Sequence, residues 1–166
     1  TPPVKDAAKA AKKSMQLAEK GDLAGAIDYA EQAVAAAPQD AGYRAQLGHS
    51  YLADGRFLSA EQAFRDAMTL GDTSARTVIS LSLSLTAQGK VDAARGVLTA
   101  HRSTLPAADY GLALALLGDN DHAIQVLVDA VRNAPPSAKT RQNLALAYAL
   151  AGRWPEAKLM GEQDLA

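Results

Sequence analysis

The sequence has no cysteine and a single tryptophan, and aromatic residues make up 5% of its 166 positions. Without cysteine there is no disulfide framework and no thiol chemistry, although that absence does not fix the compartment. So few aromatics beside 37 alanines suit closely packed helices and give no support to a sheet. Neither sign of charge is in excess. The formal net charge is -1, so no global field favours nucleic acid. No run of about 18 apolar residues exists, so no segment reads as a membrane span. His49, His101 and His122 stand far apart, and no His, Asp or Glu spacing resembles a metal site. A phosphate-cradling glycine loop is also missing. Gly48-His49-Ser50-Tyr51-Leu52 comes near a nucleophile elbow but lacks its second glycine. Asp119-Asn120-Asp121 opens like a calcium loop, yet Ala130 stands where the bidentate glutamate is required, so the run reads as a turn capping the next helix. His101 reads as a bulky packing residue. The expectation is a chain that is not an enzyme and carries no metal or cofactor.

What the sequence does contain is a period. Gly21, Gly55, Gly89, Gly118 and Gly152 are 34, 34, 29 and 34 residues apart. Five residues after each comes alanine: Ala26, Ala60, Ala94, Ala123 and Ala157. Four before each comes a large residue: Leu17, Tyr51, Leu85, Leu114 or Tyr148. Seven before comes a small one: Ser14, Gly48, Ser82, Gly111 or Ala145. Pro38, Pro106 and Pro135 close three of the units. A glycine that ends a helix in a left-handed backbone, followed by an alanine where two helices cross, implies a helical hairpin in each unit. Phe64, Leu98 and Leu127, nine places after their glycines, should fill the seam. Ala30 and Gly161 take that place in the first and last units, which are therefore the weakest copies, as solenoid ends are.

This pattern resembles the tetratricopeptide repeat. The resemblance implies an all-α fold, a right-handed α-α superhelix of about five helix-turn-helix repeats. One array would span residues 1–166, with repeats at approximately 7–40, 41–74, 75–103, 104–137 and 138–166. The 29-residue step places a deletion of five residues at the turn into the fourth unit and the first turn of its leading helix. Asp72 replaces the proline of the second unit, which predicts a longer, softer turn at Gly71-Asp72-Thr73-Ser74. Trp154, ahead of Pro155, reads as a core aromatic before a proline-initiated helix.

In tetratricopeptide arrays the first helix of each unit lines the inner surface, at ten, six and three places before the glycine. The resemblance therefore implies a groove holding Met15, His49, Leu52, Leu83, Leu112, Gln142 and Leu146. Arg76 and Lys139 lie further out, and Asn143 is one place beyond Gln142. The expected partner is a protein or peptide with an apolar segment, its polar or acidic groups anchored by Arg76 and Lys139. Arrays that grip acidic chaperone tails carry lysine and asparagine ten and six places before the glycine. Ala11 and Met15, Ala45 and His49, or Ile79 and Leu83 stand there instead, which disfavours that clamp. Lys5, Lys9, Lys12, Lys13 and Lys20 against Asp6 and Glu19 give the first twenty residues a charge of +3, read as a solvated face or as a site for an acidic partner or anionic headgroups. Thr1-Pro2-Pro3 reads as the end of an extended linker.

The last repeat, from Arg141-Gln142-Asn143-Leu144 through Gly152-Arg153-Trp154-Pro155 to Asp164-Leu165, resembles the end of TadD-type proteins of bacterial Tad (Flp) pilus assembly. That resemblance implies a non-catalytic assembly scaffold in the bacterial periplasm, associated with the outer membrane. The alternative is a soluble cytoplasmic chaperone-like or regulatory module shielding an apolar helix of a client. Ala157, Leu159, Met160 and Leu165 should leave the last repeat uncovered, to be closed by a further segment or by a second copy in a homodimer.

Overall fold

The structure, a computed structural model, describes residues 3–133 and 137–165, with side chains over 5–133 and 137–162. Thr1, Pro2, the expected closing proline Pro135 and the side chain of Leu165 lie outside the described residues. The helices are α1 (Pro3–Glu19), α2 (Leu23–Ala36), α3 (Ala41–Ala53), α4 (Phe57–Thr69), α5 (Ala75–Ala87), α6 (Val91–Ala100), α7 (Ala107–Leu116), α8 (Asn120–Asn133), α9 (Ala138–Leu150) and α10 (Trp154–Leu165), with a short 3-10 turn at Arg102–Thr104. There is no strand among the described residues, and the fold is all-α. The chain divides into two compact units, residues 1–89 and 90–166, with the division between α5 and α6.

Each periodic glycine sits where its helix ends, at φ between +76° and +95°. The closures at Gly21, Gly55, Gly118 and Gly152 are made by the same hydrogen bond. The amide after the glycine returns to the carbonyl four residues before it: Asp22 to Leu17, Arg56 to Tyr51 and Asp119 to Leu114, each at 2.9 Å, and Arg153 to Tyr148 at 2.8 Å. This is the double-bonded helix stop that needs a left-handed residue just past the last turn. The periodic alanines Ala26, Ala60, Ala94 and Ala123 are buried, whereas Ala157 is half-buried, consistent with a weaker last copy. In the first repeat the seam is joined directly, as Ser14 Oγ donates to the Ala26 carbonyl at 2.6 Å.

The small residue seven before the glycine is dictated by the large one nine after it. A Cβ on Gly48 would come within 2.7 Å of the Phe64 ring, and one on Gly111 within 2.5 Å of Leu127 Cγ. Both large side chains are fully buried. The two helices can cross this closely only because the first offers bare backbone.

Departures from expectation have local causes. The 29-residue step shortens two helices, since α6 and α7 have 10 residues each where α3, α4, α5 and α9 have 13. The 3-10 turn takes up the chain between them. The turn at Gly71 is not soft. Gly71 closes α4 at φ +105°, and the Asp72 carboxylate accepts from the Ser74 amide at 3.0 Å and the Thr77 hydroxyl at 2.8 Å. Ser74 in turn accepts from the Thr77 amide at the head of α5. Trp154 is not a core aromatic: it opens α10 with 65% of its surface exposed, and α10 packs mainly on α9. Pro3 belongs to α1 and not to a linker, at a first-turn position that suits proline.

Candidate partner-binding surfaces

In the first unit, α1, α3 and the head of α5 frame a cleft of about 470 Å³. Met15 and Ala18 come from α1, Ala45 and His49 from α3, and Arg76 from the first turn of α5. Of the ten groove residues read from the sequence, this cleft gathers Met15, His49 and Arg76. Leu52 and Leu83 are half-buried and stand outside its lining. Met15 is 58% exposed.

His49 is positioned by the same crossing that demands Gly48. Its ring meets Phe64 edge-on, with centroids 4.9 Å apart. Burial, aided by the nearby charge of Arg76 and opposed by Asp72, lowers its pKa to about 4, so the imidazole is neutral at pH 7. Burial acts to raise Asp72, but the hydrogen bonds from Ser74 and Thr77 outweigh it and hold that carboxyl below its ordinary range. An unfolded His49 takes up its proton near pH 6.5, while the folded one resists until about 4. Acidification through that window therefore favours the unfolded chain, and this part of the stability is full above pH 6.5 and lost as pH falls toward 4. Urea midpoints recorded from about pH 7 to 4 should fall more steeply for the native chain than for His49→Gln. Parallel curves would show that His49 does not contribute.

Arg76 is exposed, and no ion pair holds it among the described residues. A cation in the first turn of a helix lies against the macrodipole, which disfavours it there in the absence of a ligand. With Asp72 committed to the turn, the cleft offers a free guanidinium, a neutral imidazole and an apolar wall of Met15, Ala18 and Ala45.

The second unit presents a different surface. Leu146 is 42% exposed on α9 and Leu112 is half-buried on the adjacent α7. Two further leucines, Leu116 at 43% and Leu150 at 47%, are exposed one turn on. The offsets of ten, six and three pass over them. Their signal lies two places before the glycine, where Leu116 and Leu150 replace Glu19, Ala53 and Ala87. Gln142 is exposed. Asn143 differs from expectation. It is buried, and its amide donates to the Ala108 carbonyl at 3.0 Å, tying α9 to α7. Gln46, at a comparable place in the second repeat, donates to the Ala11 carbonyl at 2.8 Å and ties α3 to α1. Lys139 is also engaged, with its ammonium 2.6 Å from Asp109. His101 is half-buried and caps α6. No group of three or more metal-ligating side chains stands together among the described residues.

Solved structures share this architecture. The chain is similar to TTC0263, a tetratricopeptide-repeat protein of Thermus thermophilus, at 23% identity over 96% of this chain and 90% of that one, with a TM-score of 0.73. It is similar to YrrB, a tetratricopeptide-repeat protein with an unusual peptide-binding site, at 18% identity over 91% and 80%, with a TM-score of 0.62. PilF of Pseudomonas aeruginosa matches at 15% identity over 96% and 75%, with a TM-score of 0.71. Likeness at these identities establishes the fold. No protein-family model matches the sequence, and no curated protein matches it significantly.

Proposed function

On this tetratricopeptide-repeat fold, we propose that the chain is a non-catalytic scaffold whose first unit binds a protein segment carrying an apolar residue beside an anionic group. The observation that carries this reading is the unpaired guanidinium of Arg76 at the edge of a cleft walled by Met15. The apolar residue would lie against Met15 and Ala18, and the anion would meet Arg76, with His49 as a neutral hydrogen-bonding partner between them. Full burial of a leucine- or methionine-sized side chain contributes about 1.5–3 kcal/mol, so a few such contacts with one charged anchor reach the micromolar range. The peptide-binding site of YrrB is a precedent for this use of the fold. The leucines of α7 and α9 form a second, purely apolar contact surface.

Selection from a random decapeptide display library should enrich sequences pairing an aliphatic residue with Asp or Glu. Titration of the winning peptide should show Arg76→Glu weakening binding at least about tenfold, or 1.4 kcal/mol. Enrichment of sequences without acids, or equal binding by the variant, would show that Arg76 is not the anchor. The pilus-assembly setting is a finer proposal, which rests on the resemblance read from the sequence at residues 141–165. No helix among the described residues is long and apolar enough to cross a membrane. Fractionation of the native host tests the setting: a periplasmic pool favours pilus assembly, and a cytoplasmic pool favours the client-shielding module.

A further inference from the structure

Several cations elsewhere meet carboxylates: Arg44 meets Asp66, Arg65 meets Glu61, Arg95 meets Asp119 and Lys139 meets Asp109. The lysines of α1 do not. Lys5, Lys9, Lys12 and Lys13 are all exposed, and none has an ion pair among the described residues. At 3.6 residues per turn they fall within roughly 100° of the helix circumference. That stripe lies opposite the buried Ala7, Ala10 and Ser14, and away from the Met15 side that lines the cleft. Lys9, Lys12, Lys13 and Gln16 form one bank of a trough of about 680 Å³, and Tyr29 and Gln32 of α2 form the other.

A polar face is expected on the first helix of a solenoid, but solubility is satisfied by mixed charges. Like charges at Lys5, Lys9 and Lys12 or Lys13, one turn apart, repel one another, and Asp6 is the only acid lining the trough among the described residues. We propose that this trough is a further binding site, for an extended acidic protein segment. Lysines four apart on a helix recur every 6 Å or so, close to the roughly 6.7 Å between alternate side chains of an extended chain. Acidic residues at every second position therefore meet Lys9 and Lys13 in register, with Lys5 one turn beyond the trough, while Gln16 and Gln32 offer amides to the backbone. A flat bilayer touches lysine tips but leaves a trough unfilled. Tyr29 alone does not make the aromatic series on which single-stranded nucleic acid stacks.

The test uses the 166-residue chain and a fluorescein-labelled peptide of alternating Glu and Ser. Binding by anisotropy should be clear at about 20 mM salt and weaken sharply at about 300 mM. Lys9→Glu with Lys13→Glu should reduce affinity at least about tenfold, and Lys9→Arg with Lys13→Arg should retain it, with circular dichroism showing each variant folded. Arg76→Ala should leave it unchanged, which separates this site from the cleft of α1, α3 and α5. The proposal is overturned by no binding at low salt, by indifference to the charge reversal, or by dependence on Arg76. It is also overturned if phosphatidylserine vesicles or a single-stranded oligonucleotide bind through these lysines in preference to the peptide.

Discussion

Phe64→Ala should destabilise the first unit by about 3–5 kcal/mol, the cost of emptying a buried aromatic site whose surroundings relax only in part. Phe64 has no exposed surface, and its ring lies against the bare backbone of Gly48, so the void opens in the seam between α3 and α4. Against typical stabilities of about 5–15 kcal/mol this is a large share. Urea denaturation followed by circular dichroism reads it as a lower midpoint. The same substitution removes the ring that sets the orientation of His49. Peptide binding in the cleft should therefore weaken under conditions where the variant is still folded. A loss below about 1 kcal/mol would mean that the Gly48–Phe64 contact does not hold the hairpin together.

The second large effect is expected in the other unit, from Gly111 and Leu127. Leu127→Ala alone should cost about 2–5 kcal/mol. Gly111→Ala alone forces its methyl into Leu127, a penalty of about 1–3 kcal/mol, offset by about 1 kcal/mol of improved helix propensity. In the double variant the new methyl enters the space that Leu127 has left. It should therefore be more stable than Leu127→Ala by itself, with a coupling of about 0.5–3 kcal/mol. Strictly additive losses would show that the glycine is required by something other than this crossing.

The repeat frame was legible in the sequence because each of its positions admits few residue types. A left-handed helix stop selects glycine, and a crossing as tight as that of Gly111 on Leu127 selects a missing side chain. Recurrence then separates such positions from chance. The candidate sites were less legible, since surface positions admit many residues. Asn143 and Lys139 were assigned to a partner on their offsets, whereas each satisfies a neighbour within the fold, the Ala108 carbonyl and Asp109. Those neighbours lie one helix away, beyond the reach of local periodicity. Trp154 misled in the opposite direction, because large aromatics before a helix-opening proline read as core whether or not a helix covers them. Met15, His49 and Arg76 do gather in one cleft. That Asp72 is committed to its own turn and leaves Arg76 unpaired follows from side-chain geometry, which no spacing encodes.

The amide ties from Gln46 to Ala11 and from Asn143 to Ala108 each join residues 35 apart in the chain. Within each unit, packing otherwise runs between helices that are consecutive or one removed. A chain held by such nearby pairings closes only short loops on its way to the native state, so the entropic barrier stays low. Either unit can then nucleate at any hairpin and zip outward in microseconds to milliseconds. Folding on that scale is fast beside chain synthesis at about 5–20 residues per second, which shortens the interval in which unpaired apolar surface invites aggregation.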